Sequence, residues 1–438
     1  MRFKLLVLIA ALSTGSLSFA DSAGTSEPSD SLARKAASND SAESADAIAR
    51  LRSQGQAGIE AFLLAHAVEL KEAGTGGQRL NAALDTICQQ RDCYGSRLFW
   101  HTDIEEARRE AKASGKPILS LRLLGHLNEE LSCANSRFFR ITLYANTAVS
   151  KYLREHFILH WKSVRPVPKV TIDFGDGRKL ERTLTGNSIH YVLDQQGRPV
   201  DALPGLYGPQ AFLRSLARAE QAEAACRAAP TEQERLTSLQ RYHATRMREI
   251  TEEWAADLMK SKISTPPSRD VPKPERAESG VVTAEVAALR TITKVMLEKP
   301  VLRGISPKPK TLDPKAEDAA WAKIAELHAE DARLDAGSRA VMRSKNPALY
   351  SAAGSATGAL EAAVRNLERS IAEDTVRNEY IFHAKLHEWF AAGAAITGVD
   401  KLNDKVYAEL FLTPASDPWL GLFSPDSYTG IENDGVRK

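Results

Sequence analysis

Between positions 99 and 216 the apolar residues change from helical spacing to strand-like runs and back. Ile104, Ala107 and Ala111 recur at helical spacing up to Gly115, and the apolar run 118–124 that follows predicts a buried strand. The later predicted elements of this region are helices through 138–143 and 149–155, strands at 157–161, 170–174, 179–184 and 189–193, and a helix from Pro209. This order predicts an α/β sandwich with helices flanking a mixed sheet.

On the N-terminal side of this region the pattern predicts helices and, before them, little structure. Apolar residues at helical spacing over 59–70 and 80–87 predict a helical N-terminal extension at 48–98. The segment 21–47 is rich in Ser, Ala, Asp and Glu and has almost no large apolar residue. Such a segment buries too little surface to offset the entropy of ordering, so it is predicted to be a disordered leader.

On the C-terminal side, 221–438 is predicted to be an α-helical region. Thr231 and Glu234 form a capping box ahead of a helix that runs to about Met259. Further helices are predicted at 286–297, 318–333, 360–392 and 403–411, with proline-rich linkers near 263–280 and 300–314. A domain at 99–220 followed by this helical region is the expected organisation.

The first residues predict export. Met1 to Lys4 carries two basic residues, the apolar run 5–12 follows, and small residues precede Ala20. This is the pattern of a secretory signal peptide spanning 1–20, cleaved after Ala20, and it predicts a periplasmic or secreted protein. The alternative is a buried N-terminal helix.

Size and charge exclude several classes of function. A chain of 438 residues is longer than a single hydrophobic core ordinarily holds, so more than one domain is expected. Its 58 Lys+Arg and 56 Asp+Glu residues leave a net charge of +2, so no strong field attracts nucleic acid or an anionic membrane. No later stretch approaches the ~20 apolar residues of a membrane span, so no membrane insertion is expected after signal cleavage. No phosphate-binding glycine loop is present, and no cofactor is expected.

The segment 99–216 resembles a thioredoxin-like domain of the exported bacterial kind. The resemblance rests on the Ala-rich helix leading through Lys116-Pro117 into strand 118–124, on the turn bearing Cys133, on 149–161, and on Tyr191-Val192-Leu193-Asp194 with Gly197. It implies thiol–disulfide chemistry at that turn and a substrate groove beside it. The turn here is Cys133-Ala134-Asn135-Ser136, so the second thiol of the family is replaced by Ser136, and Ser188, next to Asn187, stands where the family has a cis-proline.

Three functions therefore remain open. Cys133, with Ser136 beside it, exchanges disulfides as a monothiol or captures a protein partner through its thiols or disulfides. Alternatively Cys133 is structural, buried or bridged to Cys93, and the domain is a non-catalytic protein-binding scaffold with Asn187 and Ser188 in its groove. The local pair Cys88 and Cys93 is the expected disulfide in an oxidising compartment.

The third possibility is metal binding in the helical region. Glu379, His383 and His387 recur every four residues and so share one helix face, which brings two imidazoles and a carboxylate within reach of one ion. The same spacing also suits polar residues on the edge of a packed helix. The packed-helix interpretation is preferred, so no metal is predicted with Glu379, His383 and His387.

Overall fold

The computed structural model describes residues 27–71, 75–271, 284, 291–293, 297–298, 315–350, 355–393, 398–422 and 431. The predicted signal peptide lies outside the described residues, as do the linker 300–314 and most of the helix predicted at 286–297. Among the described residues, no helix has the length and apolar character needed to cross a membrane.

A mixed sheet lies at the centre of the protein. The strands are β1 (Ile118–Leu124), β2 (Ile158–Arg165), β3 (Lys169–Asp173), β4 (Lys179–Thr183), β5 (Ile189–Leu193) and β6 (Pro199–Pro204). Four of them form one sheet in the order β2-β1-β5-β6, and β3 and β4 form a separate two-stranded sheet. β1 runs parallel to β2 and antiparallel to β5, and β6 is antiparallel to β5. The predicted mixed α/β architecture is confirmed at this level.

Burial explains why three strands of the four-stranded sheet form. Every residue of β1, β5 and β6 is buried, which is typical of a sheet covered on both faces. The turn at Asp176-Gly177 joins β3 to β4, and Gly177 adopts a φ of 92°, which glycine tolerates. Strand β6 was not predicted, because Asp201 interrupts its short apolar run between two prolines.

Helices pack around the sheet and continue to the C-terminus. The helices up to the sheet's closing helix are α1 (Ser29–Ala36), α2 (Ser41–Ser53), α3 (Gln56–Ala65), α4 (Thr75–Cys88), α5 (Cys93–Ser96), α6 (Ile104–Ser114), α7 (Ala134–Phe138), α8 (Thr147–His156) and α9 (Pro209–Arg227). The later ones are α10 (Glu232–Ser261), α11 (Lys315–Leu327), α12 (Ala336–Lys345), α13 (Pro347–Tyr350), α14 (Ser355–Arg377), α15 (Ala384–Ala391) and α16 (Val399–Lys405). The capping box of Thr231 and Glu234 is present at the start of α10.

The predicted disordered leader is wrong from Ser29 onward. Helix α1 buries Leu32, Ala33 and Ala36, and Asp40 caps α2 by accepting bonds from two backbone N–H groups. These small apolar residues join a cluster with α3 and α4, so Ala-rich sequence finds a surface to pack on. The predicted disulfide between Cys88 and Cys93 is present in the same cluster.

The sheet and the C-terminal helices share one hydrophobic core. The largest buried cluster runs from Trp100 and β1 through α9 to Trp321 and Phe390. The boundary predicted between 220 and 221 falls inside α9, whose residues Phe212 and Cys226 both belong to this cluster. The helical region is therefore packed on the sheet and is not a separate unit on a linker.

One polar contact in this packing depends on pH. His328 Nε2 lies 2.6 Å from Asp257 Oδ2 of α10, and its Nδ1 lies 3.6 Å from Asp331 Oδ2. Arg214 of α9 donates from both terminal nitrogens to Asp331, at 2.6 Å each. Burial alone would lower the pKa of His328, but the two carboxylates raise it to about 9.

Folding raises the affinity of His328 for its proton, so the protonated side chain stabilises the folded state. This contribution to the free energy of unfolding is complete below about pH 6.5 and is lost as the pH rises through about 9. We expect the free energy of unfolding to fall by about 2–3 kcal/mol between pH 7 and pH 10 through this group. Urea unfolding across that range, compared between the parent and His328→Asn, measures it. Identical pH profiles for the two proteins would contradict the assignment.

Candidate functional site

Cys133 lies at the start of a short helix, after the loop 125–132 that follows β1. Its backbone N–H donates to the carbonyl oxygen of Leu124 at the end of β1, and it forms the N-cap of α7. Its Sγ lies 3.3 Å from Ser136 Oγ and 3.0 Å from Ser188 Oγ. The structure thus brings together the cysteine, the serine three residues later, and the serine 55 residues away that was expected beside it.

The thiol is sealed from solvent. Cys133 is 0% exposed, and Ser136 and Ser188 are equally buried. Gly186 closes one side, since a Cβ placed on it would lie 2.3 Å from Cys133 Cβ. A sealed thiol cannot meet a protein disulfide in this arrangement, because exchange requires the attacking sulfur to reach its target.

Residues of the C-terminal half cover the predicted groove. Tyr407 donates its hydroxyl proton to the backbone oxygen of Asn187 at 2.8 Å, and Thr291 donates to Asn187 Oδ1 at 3.1 Å. The backbone N–H of Thr185 donates to Glu298 Oε2 at 3.0 Å. Groove residues that were expected to hold a partner polypeptide therefore hold segments of the same chain.

A second polar cluster lies at the free edge of the sheet. Asp201 comes from β6, His243 from α10 and His387 from α15, and all three are at most 1% exposed. One ligand atom from each of these residues lies within 4.8 Å of the others. His383 ends a π-helical turn, Asn378–His383, that joins α14 to α15, and such turns are frequent at functional sites.

Short contacts connect the rings of this cluster. His243 Nδ1 lies 2.7 Å from His387 Nδ1, and His243 Nε2 lies 2.9 Å from the carbonyl oxygen of Val200. A carbonyl oxygen only accepts, so Nε2 of His243 carries the proton and its Nδ1 presents a lone pair. The ring of Phe390 stacks on His243 at 4.4 Å between centroids, which fixes the plane of the imidazole.

The carboxylates of the cluster are held by several donors. Tyr242 donates to Asp201 Oδ2 at 2.6 Å, and His383 Nε2 lies 3.2 Å from Asp201 Oδ1. His383 Nδ1 lies 2.9 Å from Glu379 Oε2, and Arg246 donates to Glu379 Oε1 at 3.1 Å. The predicted trio of Glu379, His383 and His387 does share one face, with the rings of His383 and His387 4.1 Å apart.

These contacts separate the histidines into two charge states. Burial would lower the pKa of His383, but Glu379 and Asp201 raise it to about 9. Burial lowers the pKa of His243 to about 4, and burial with the nearby His383 lowers that of His387 well below its ordinary value. Burial would raise the pKa of Glu379, but His383 and Arg246 lower it to about 2. His243 and His387 are therefore neutral at pH 7, which is the form that binds metals.

Sequence reasoning missed two members of this cluster, Asp201 and His243. A signal for each is present. Asp201 is a carboxylate inside an apolar run, and His243 continues the buried stripe of α10 between Leu239 and Ile250. Helical spacing pairs residues only within one helix, so it found Glu379, His383 and His387 without their partners.

The chain was compared with protein-family models, with curated proteins and with solved structures, and none of the three comparisons found a match.

The closeness of Gly186 to Cys133 gives a test of the sealed thiol. Gly186→Ala should destabilise the protein by about 1–3 kcal/mol, because the new methyl group overlaps the Cβ of Cys133. Gly358→Ala in α14 is the matched control, since a Cβ there meets nothing within 4 Å, and it should be neutral or slightly stabilising. Urea unfolding of both variants measures the difference, and equal stability would show that Gly186 is not packed against Cys133.

Proposed function

We propose that residues 99–220 form a thioredoxin-like domain that serves as a non-catalytic polypeptide-binding scaffold in an exported protein. The observation that carries this proposal is the sealed thiol: Cys133 is 0% exposed, and residues of the C-terminal half bond to the groove beside it. A domain used for turnover keeps its reacting sulfur accessible.

The order of the elements supports the thioredoxin-like assignment. Helix α6 leads into β1, the turn with Cys133 opens α7, and α8 leads into the parallel strand β2. Strands β5 and β6 then complete the sheet in antiparallel fashion before α9. The contact between Cys133 and Ser188 agrees with the expected position of the family's groove residue.

The state of the four cysteines favours a scaffold over an oxidoreductase. Ser136 occupies the place of a resolving cysteine, and Cys88 and Cys93 are already joined to each other. Cys226 is buried, in α9, where its Sγ contacts the carbonyl oxygen of Arg235. A mixed disulfide formed at Cys133 therefore has no neighbouring thiol to release it.

The groove already has the chemistry to bind polypeptide. Asn187 offers a backbone oxygen and a side-chain oxygen, and hydroxyl groups of Tyr407 and Thr291 donate to them. Thr185 offers a backbone N–H, which Glu298 accepts. The groove thus pairs with hydroxyl and carboxylate side chains of the C-terminal half, and the proposed partner is a protein segment that carries the same groups and displaces them.

Export belongs to this proposal because of the signal-peptide pattern of 1–20. The bond between Cys88 and Cys93 supports an oxidising compartment, since structural disulfides are rare in reducing ones.

Monothiol exchange at Cys133 is the second candidate, favoured by the two hydroxyl groups that contact its Sγ. In this step the Cys133 thiolate attacks one sulfur of a partner disulfide. A bond forms between the two sulfurs, the partner's S–S bond breaks, and the other partner sulfur leaves as a thiolate. For exchange to occur, the contacts of Tyr407 and Thr291 with Asn187 must first open. If these contacts are weakened, exchange predicts that Cys133 becomes reactive, whereas the scaffold predicts that it stays unreactive.

Alkylation of the folded protein by iodoacetamide, with mass mapping, separates the two functions. The scaffold predicts that Cys133 is labelled only as fast as the buried Cys226, because both then react through unfolding. Tyr407→Phe removes the hydroxyl group that binds Asn187, and Tyr94→Phe, which loses a hydroxyl contact to Ser344, is the matched control.

Equal labelling rates of Cys133 and Cys226 in the parent and in both variants support the scaffold. Selective labelling of Cys133 in Tyr407→Phe, together with release of a thiol from a model disulfide, supports exchange gated by the cover and overturns the scaffold. Rapid labelling of Cys133 in the parent would also overturn it.

A further inference from the structure

The geometry points to a closed zinc site in which Asp201, His243 and His387 join the edge of the sheet to two helices, with His383 as the fourth ligand once zinc displaces the proton on its Nε2. This inference stands apart from the role of Cys133, because it uses other residues and no thiol.

Three separated parts of the chain supply the donor atoms. Asp201 lies in β6, His243 in α10, and His387 lies 144 residues after His243. The ligand atoms of these residues lie within 4.8 Å of one another, and none of the side chains is more than 1% exposed. Imidazole nitrogens and a carboxylate that converge in a buried interior form the donor set of a zinc ion.

The distances suit a small tetrahedral ion after a modest adjustment. Ligand atoms about 2.0 Å from zinc lie about 3.3 Å from each other in a tetrahedron. The separation between His383 Nε2 and Asp201 Oδ1 is 3.2 Å, between the Nδ1 atoms of His243 and His387 it is 2.7 Å, and between His387 Nδ1 and Asp201 Oδ1 it is 4.0 Å. These three values lie within about 0.7 Å of the ideal, and because the ligand atoms of Asp201, His243 and His387 are spread over up to 4.8 Å, zinc would draw them closer together.

The second shell has the form that metal-binding histidines require. His243 directs Nε2 to the carbonyl oxygen of Val200, and this leaves Nδ1 for the ion. His383 directs Nδ1 to the carboxylate of Glu379, and its Nε2 proton, which faces Asp201 at 3.2 Å in the metal-free protein, would be released to solvent when zinc binds at Nε2. Tyr242 fixes the other oxygen of Asp201 at 2.6 Å.

The chemistry of the donors selects the ion and its role. Three nitrogens and one oxygen exclude Ca²⁺ and Mg²⁺, which prefer oxygen ligands. A site with four protein ligands and no exposed position is structural, because a catalytic zinc keeps one position open to water or substrate. Zinc here would clamp α10 and α15 onto β6.

The competing arrangement is a hydrogen-bonded histidine pair without an ion. In that case His387 donates from Nδ1 to Nδ1 of His243, and its Nε2, for which the described part of the chain shows no hydrogen-bond partner, is left as a buried acceptor. Both arrangements place the same side chains together, so a measurement of bound metal decides between them.

The experiment measures metal in the full-length mature protein by inductively coupled plasma mass spectrometry. The protein is stripped with a chelator, reloaded with Zn²⁺ and desalted. One zinc per chain is expected, with a melting temperature that rises on reloading and falls on stripping. Co²⁺ in place of Zn²⁺ should give the intense visible bands of a tetrahedral site without a thiolate charge-transfer band, which excludes Cys133 and Cys226 as ligands.

Asp201→Asn, His243→Gln and His387→Gln should each lose the stoichiometric metal and the cobalt bands. His160→Gln is the matched control, since His160 is an equally buried histidine bonded to Ser120 and should keep one zinc. If the cluster variants do not fold, the stoichiometry and cobalt spectrum of the parent still decide. Failure of the parent to retain zinc, an octahedral cobalt spectrum, or unchanged binding in the folded cluster variants would each overturn the proposal.

Discussion

Strand β6 lies at the edge of the sheet, and the rest of the structure depends on how that edge is covered. An edge strand presents unpaired backbone groups and must be covered. Here α10 and α15 cover it, and the cover is polar: His243 donates to the carbonyl oxygen of Val200, while Tyr242 and His383 contact Asp201. A carboxylate buried in this position costs several kcal/mol unless its oxygens are satisfied, so the helices and the strand need each other.

This coupling explains why the helical region is fused to the sheet and why the thiol is sealed. The C-terminal helices that reach β6, α10 and α15, also carry the core residues Trp254 and Phe390, so they pack into the same core as the sheet. Once it is docked there, Tyr407 comes within 2.8 Å of the backbone oxygen of Asn187. The closed state of Cys133 is thus a consequence of how the C-terminal half is anchored, and the histidine cluster provides part of that anchor.

The sequence predicted what depends on local pattern. The apolar run of β1, the hairpin at Asp176-Gly177 and the capping box at Thr231 follow from short-range rules, and all are present. The meeting of Cys133 and Ser188 was expected only from the resemblance to thioredoxin-like domains, in which the residue at the position of Ser188 faces the cysteine turn. Strand β6 was not predicted because Asp201 breaks its apolar pattern, although Asp201 is central to the histidine cluster. The helix at Ser29–Ala36 was not predicted because a short alanine-rich segment is ordered only when it packs against another surface of the protein.

Sequence reasoning found only part of the candidate site, because local patterns do not show which distant residues meet in the fold. The recurrence of Glu379, His383 and His387 reflects one helix face, and a single face of a helix rarely encloses an ion. Enclosure needs donors from other elements, and His243 and Asp201 come from a helix and a strand that are distant in the chain. A lone polar residue within a buried stripe or strand is the one local sign of such a partner. In this protein both such residues point to the same centre, the hydrogen-bonded cluster of imidazoles and a carboxylate that we propose as a zinc site.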